Sequence, residues 1–227
     1  MTDRPLCIVA AAGPGMGAAI ARRFAREGFD LALLARDAGP LSTLEQDLRR
    51  FGGAAHGYAV DLCDVPAVRT AFDTIRERQG PAAVLVYNGG SWHEVPAMQM
   101  DPALFSRDLM LCVTGALVCA QAVHPDMKAA GSGTILFTGG GLALYPAYGA
   151  GNSSLTAGKS GLRGFTFALA KELAPEGVHV GTVTIAGAVK PGTAFDPDAI
   201  AERYWALHQE GTSGPDTWTV ETVFDGQ

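Results

Sequence analysis

The chain has 227 residues, 48% of them hydrophobic, which is enough for one sizeable core and short for two independent ones. Its net charge of -6 comes without any basic block, which argues against a nucleic-acid partner and fits an acidic, solvated surface. Cys7, Cys63, Cys112 and Cys119 form no C-x-x-C pair, and the first three fall where strand or helix interior is expected, so a reducing compartment and no metal site are expected.

The opening stretch, MTDRPLCIVAAAG, has too short an apolar run for a signal peptide, and no later stretch is expected to reach transmembrane length. A cytoplasmic protein without membrane contact follows as the expectation. Residues 6–12 read as a buried parallel strand that enters Ala10-Ala11-Ala12-Gly13-Pro14-Gly15-Met16-Gly17. A helix follows at 18–27, with Ile20 and Phe24 inward and Gly28 as its stop. Glycines between a strand and a helix let a ligand approach the backbone, and the helix start offers unpaired N–H groups to an anion. The turn is therefore a phosphate cradle, and the candidate ligand is a dinucleotide pyrophosphate.

A second strand, 30–36, precedes a helix whose Leu41, Leu44, Leu48 and Phe51 recur at three- and four-residue steps before Gly52 and Gly53. A third strand, 56–62, precedes a helix marked by Val65, Val68, Phe72 and Ile75, with Asp64 as N-cap and Gly80 as break. The fourth strand, 83–87, runs into Asn88-Gly89-Gly90, a sharp turn at a strand's C-terminal end, where open parallel sheets collect ligands. After a connection at 91–100, Asp101-Pro102 supplies a cap and a first-turn proline for a long helix. Residues 109–123 are apolar on almost every face, so the sheet covers one side and either a partner subunit or the rest of the chain covers another.

The fifth strand, 133–138, leads to a glycine-rich loop at 139–151 that carries Tyr145 and Tyr148 and is expected to be mobile. A helix at 153–173, rich in Ala, Gly and Thr, is built for close packing. A sixth strand at 178–185, a helix at 197–208 with Asp196 as cap and Ile200, Tyr204 and Leu207 inward, and a last strand at 218–223 complete the chain. Strand and helix alternate without repeat or linker. The expected fold class is α/β, a doubly wound parallel sheet of about seven strands in three α/β/α layers, with residues 1–227 as one domain.

In this order of elements the turns resemble the short-chain dehydrogenase/reductase family, a Rossmann-type fold, over nearly the full length. The family's phosphate turn has the form T-G-x-x-x-G-x-G. Gly15 and Gly17 match its last two glycines, Ala10 and Ala11 stand for the first Thr and Gly, and Gly13 is an extra glycine. Asp61 matches the acid that approaches adenine, and Asn88-Gly89-Gly90 matches the N-A-G turn. The resemblance implies cofactor contacts from Gly13, Gly15, Met16, Gly17, Arg36, Asp61, Leu62, Asn88, Gly89, Gly90 and Lys159. In its frame Ala35 takes the position of the acid that would accept from a free ribose 2′-OH, and Arg36 follows it, the pattern that favours NADP(H) over NAD(H).

The catalytic frame is altered. In the family a Tyr four residues before a Lys transfers the substrate proton, and the Lys holds the ribose hydroxyls. Lys159 is present and Leu155 stands where the Tyr would be; Gly140 aligns with the family's Ser and Cys112 with its helical Asn. Thr193 stands nearest to the family's nicotinamide-side threonine, and the segment at 191–197 is shorter than the usual substrate lid. The candidate replacement acids are Tyr145 and Tyr148, followed by His93, Ser153, Ser154 and Thr138. Two readings stand side by side. One is an oxidoreductase acting on a small carbonyl or alcohol with an unusual proton donor; the other is an NADP(H)-binding sensor or assembly partner without that chemistry. The resemblance also implies a homodimer or homotetramer.

Overall fold

Seven strands pair in parallel in the order β3-β2-β1-β4-β5-β6-β7. They are β1 (Leu6–Ala10), β2 (Asp30–Ala35), β3 (Ala55–Ala59), β4 (Ala82–Tyr87), β5 (Gly133–Gly140), β6 (Val178–Ile185) and β7 (Glu221–Phe224). The computed structural model describes residues 4–227, so the first three residues of the N-terminal run lie outside the described residues. After β3 the chain returns to the far side of β1, and the sheet winds outward in the opposite direction. A crevice therefore opens between β1 and β4 at their C-terminal ends, the place where such sheets take ligands.

Side chains alternate across each strand, and the two faces build two cores. On one face Cys7, Val9, Leu31, Leu33, Val84 and Val183 pack under α1 (Met16–Arg26), α2 (Ala38–Leu48) and α7 (Pro197–Glu210). On the other, Ile8, Leu34, Leu85, Ile135, Phe137 and Val180 pack under α3 (Val65–Gln79), α5 (Gly115–Ala130) and α6 (Ser153–Leu173). The inner strands are buried on both faces, which is why they read as unbroken apolar runs. Asp64, Asp101 and Asp196 cap their helices as expected, each accepting a hydrogen bond from a first-turn N–H.

The long helix is one continuous rod, Pro102–Ala130, made of α4 (Pro102–Leu109), a π turn (Met110–Thr114) and α5. Contrary to the expectation that no stretch reaches that length, it is apolar and long enough to cross a membrane, with a mean hydropathy of 1.6 over its best window. Its apolar residues have another use here. Val118, Cys119, Val123 and Met127 are buried in the sheet core, and Leu117 is left outward.

Other expectations are corrected at element ends. β1 stops at Ala10 because Ala11 turns to a positive φ, and β3 ends at Ala59, which leaves Cys63 half-buried in a turn and outside any strand. The last strand starts at Glu221, opposite Thr182, after a 3₁₀ turn at Pro215–Thr217. The glycine-rich loop holds two 3₁₀ turns, Gly141–Ala143 and Pro146–Gly149, whose backbone bonds include Tyr145 N–H to the Gly141 carbonyl and Tyr148 N–H to that of Tyr145. A bridge between Val95 and Asn152 ties its end to the loop after β4.

Candidate functional site

The glycine-rich turn leaves β1 through Ala11, which adopts φ 63 where an L-residue other than glycine pays a steric cost. The Gly13 N–H turns back to the Ala11 carbonyl at 2.9 Å, and the Ala18 and Ala19 N–H groups close onto the Gly13 and Gly15 carbonyls. Among the described residues, the N–H groups of Gly15, Met16 and Gly17 find no backbone acceptor, and no side chain caps this helix. They form an open anion cradle at the positive end of α1. A Cβ on Gly17 would stand 2.6 Å from the Ala11 carbonyl oxygen, so only glycine lets α1 start this close to the strand.

From that cradle a cleft of ≈ 610 Å³ runs past Gly13, Arg36, Asp61, Leu62, Asn88 and Gly90. Arg36 is exposed at its rim, after the partly buried end of β2. Asp61 accepts from the Cys63 N–H at 3.0 Å and from Arg107 at 2.6 Å. These partners, the Cys63 N–H first, hold its carboxyl below the usual range against the opposing effect of burial. Asn88 ties the strands together: its Nδ2 donates to the Ala11 carbonyl and its Oδ1 accepts from Thr138 Oγ1 at 2.8 Å. The fully buried Tyr204 hydroxyl of α7 lies 2.7 Å from Thr138 Oγ1 and, since Thr138 donates to Asn88, Tyr204 is the donor here. Burial pushes its pKa well up, so this phenol reaches the site only through Thr138.

Lys159 lies on α6 with its side chain buried under Gly90. Its Nζ donates to the Gly89 carbonyl at 2.9 Å and the Thr138 carbonyl at 2.7 Å, and burial lowers its pKa. The third ammonium proton remains for a ligand. Leu155, one turn earlier, faces the same side, and Gly140 lies against the Lys159 stem, where a Cβ would stand 3.3 Å from Lys159 Cγ. Cys112 is buried against Gly158 on α6 and away from the cleft; burial raises its thiol pKa.

A second cavity, ≈ 720 Å³, adjoins the cleft and shares Asn88 and Trp92 with it. Met16, Thr138, Tyr145, Tyr148, Leu155 and Lys159 line it. Of the sequence candidates, the structure thus brings Tyr145 and Tyr148 to the same cavity as Leu155 and Lys159. Thr138 lines it too, with its hydroxyl bonded to Asn88 and Tyr204; the remaining candidates lie outside it. Thr193 lies off this cavity and bonds within its own turn, to the Lys190 carbonyl. Ser154 is fully buried and donates to Asp108 at 2.6 Å, Ser153 lies outside both cavities, and His93 lines the cofactor-sized cleft with Nδ1 2.8 Å from Asp108.

This geometry accompanies a direct match. The profile described as short chain dehydrogenase matches residues 6–198. The chain belongs to the short-chain dehydrogenase family. Family relatives include the short-chain reductase protein NovJ of Streptomyces niveus, 31% identical over 206 residues that cover 89% of this chain and 75% of that one. The 3-oxoacyl-[acyl-carrier-protein] reductase MabA of Mycobacterium tuberculosis is 30% identical over 177 residues, covering 78% of this chain and 66% of that one. Among solved structures, a metagenomic short-chain oxidoreductase in complex with NADP superposes with a TM-score of 0.86 at 29% identity, covering 96% of this chain and 95% of that one. Acetoin dehydrogenase YohF of Salmonella typhimurium superposes equally, at 25% identity, with 98% and 95% covered.

Within this short-chain dehydrogenase fold, sequence reasoning missed Arg107, Asp108 and Trp92. Asp108 had a signal available: it is a carboxylate at the start of the apolar run at 109–113, one turn before Cys112. It is buried and accepts from Ser91, His93 and Ser154; burial pushes its carboxyl up, but these bonds outweigh it and hold the pKa below the ordinary value.

Proposed function

We propose that the chain, acting as one dinucleotide-binding domain over residues 1–227, is a nicotinamide-dependent oxidoreductase that interconverts a small ketone or aldehyde and its alcohol. One observation carries the reading: the open N–H cradle at Gly15–Gly17 and the Asp61 cleft adjoin a second, apolar cavity that the buried Lys159 lines. A bound nicotinamide supplies or accepts the hydride. The first-turn N–H groups of α1 hold the pyrophosphate, Leu62 and the Asn88-Gly89-Gly90 turn border the adenosine side, and Lys159 offers its remaining proton to the ribose. Arg36 at the rim pairs with a 2′-phosphate, which favours NADP(H) over NAD(H).

Leu155 occupies the helical turn before Lys159 where the family resemblance expects a tyrosine, and it carries no transferable proton. In a reduction the carbonyl carbon takes the hydride and its oxygen takes a proton, which on this reading comes from Tyr145 or Tyr148. The aliphatic Leu155 favours a second reading, cofactor binding without turnover. Titration with NADPH and NADH followed by a carbonyl and alcohol panel separates the two. Turnover abolished by Tyr145→Phe or Tyr148→Phe supports the oxidoreductase, while binding with no turnover of any compound selects the second reading. NADPH should bind more tightly than NADH, and Arg36→Ala should lower that preference by about ten- to a hundredfold, the worth of a charge-assisted contact. Equal affinities in the unmutated protein refute the preference. The same reading carries a cytoplasmic homodimer or homotetramer.

A further inference from the structure

The cavity beside Lys159 is walled by Trp92, Tyr145 and Tyr148, which are 62%, 57% and 83% exposed, a concentration of aromatic surface that folding leaves in water. Trp92 stands where the cavity meets the cofactor-sized cleft, since it lines both. Its place is fixed by its neighbours. Ser91 Oγ and His93 Nδ1, one residue to either side, both bind the buried Asp108 carboxylate, at 2.6 and 2.8 Å, and Ser154 of α6 is its third partner. Trp92 Nε1 is also held, donating to Glu94 at 3.0 Å. The clamp sets out an indole ring in advance of any ligand, which removes part of the ordering cost of binding.

The cavity is equally defined by what it lacks. Among the described residues, Lys159 is the one charged residue in its lining, and its ammonium is buried and engaged by two carbonyls. A carboxylate or phosphate on the substrate would meet an ammonium already held by two carbonyls, its third proton taken by the ribose in the proposed complex. Flat, amphipathic rings instead offer faces for stacking at small entropic cost.

We propose that the Trp92–Tyr145–Tyr148 wall selects an uncharged, ring-bearing ketone or secondary alcohol, with Asp108 as the positioning residue that holds Trp92 in that wall. The inference rests on reading this cavity as the carbonyl or alcohol site. A volume of ≈ 720 Å³ accommodates a fused two-ring compound with its carbonyl directed toward Lys159 and Thr138.

The test uses calorimetric titration with 2-acetylnaphthalene, 2-octanone and 3-oxooctanoate, in the cofactor-free and the NADPH-saturated protein, with quenching of tryptophan fluorescence as a second readout. The ring ketone should bind at least tenfold more tightly than either chain compound. Trp92→Ala and Tyr148→Ala, both at exposed positions that folding does not need, should each remove most of that preference. Asp108→Asn should lower it by loosening the Trp92 loop, and should reduce the fluorescence change without abolishing binding. Equal affinities, or a preference for the anion, overturn the proposal, as does absence of ring-ketone binding in both forms of the protein. Failure to bind NADPH would count against the oxidoreductase reading alone, because ring preference is also read without cofactor.

Discussion

Ala11 is the residue at which local chemistry and fold disagree. Its φ of 63 is native to glycine, and the resembled motif has glycine there. Ala11→Gly should raise stability by about 1 kcal/mol, since it relieves a steric cost of that order and removes only a methyl group. A urea melt that shows no gain refutes this. His208 shows a second conflict, between imidazole and apolar packing. It lies among Phe24, Phe29 and Trp205, with Nδ1 3.0 Å from Thr134 Oγ1; burial first, and the nearby His179 second, lower its pKa to about 4. The unfolded chain, with an ordinary histidine pKa of about 6.5, binds a proton that the folded one refuses. Stability should therefore fall as pH drops from about 6.5 to about 4, with no further loss from this group below that. Urea midpoints at pH 7, 5.5 and 4.5 test the slope, and His208→Gln should flatten it.

The rod Pro102–Ala130 carries the informative irregularity at the scale of elements. Its π turn at Met110–Thr114 inserts one residue into the helical ladder and seats Cys112 against α6. The seat is tight, because a Cβ on Gly158 would stand 2.7 Å from both Cβ and Sγ of Cys112. Gly158→Ala should gain about 1 kcal/mol of helix propensity and lose more to overpacking, for a net destabilisation of about 1–2 kcal/mol by chemical denaturation. A stabilised variant would show that the two helices slide apart freely. The bounds of α6 and β6 were legible residue for residue, since a glycine-rich loop precedes the helix and a run rich in β-branched residues marks the strand. The π turn was not, because one extra residue in one turn barely disturbs a hydrophobic period read over several.

At the scale of the whole molecule, the outer faces of α5 and α6 leave Leu117 and Phe167 exposed, at 36% and 42%, the former on a rod already too apolar for open water. On the homo-oligomer reading these faces pair across a twofold axis. Light scattering at micromolar concentration should give a dimer or tetramer mass, with Leu117→Glu or Phe167→Glu shifting it to the monomer; a monomeric unmutated protein refutes the assembly. The sequence by itself determined the alternation of elements, the caps, the buried strands and the two glycine turns, because each follows from near neighbours in the chain: periodicity, a capping oxygen, a missing Cβ. It also marked Lys159 and Leu155 as one face of one helix. Only the tertiary structure decided what meets that face. Asp108 lies 17 residues from Ser91 and 46 from Ser154, and Tyr204 reaches Thr138 across 66. Meetings between groups so far apart in the chain depend on how the sheet and helices pack, and a reading of neighbouring residues carries no record of them.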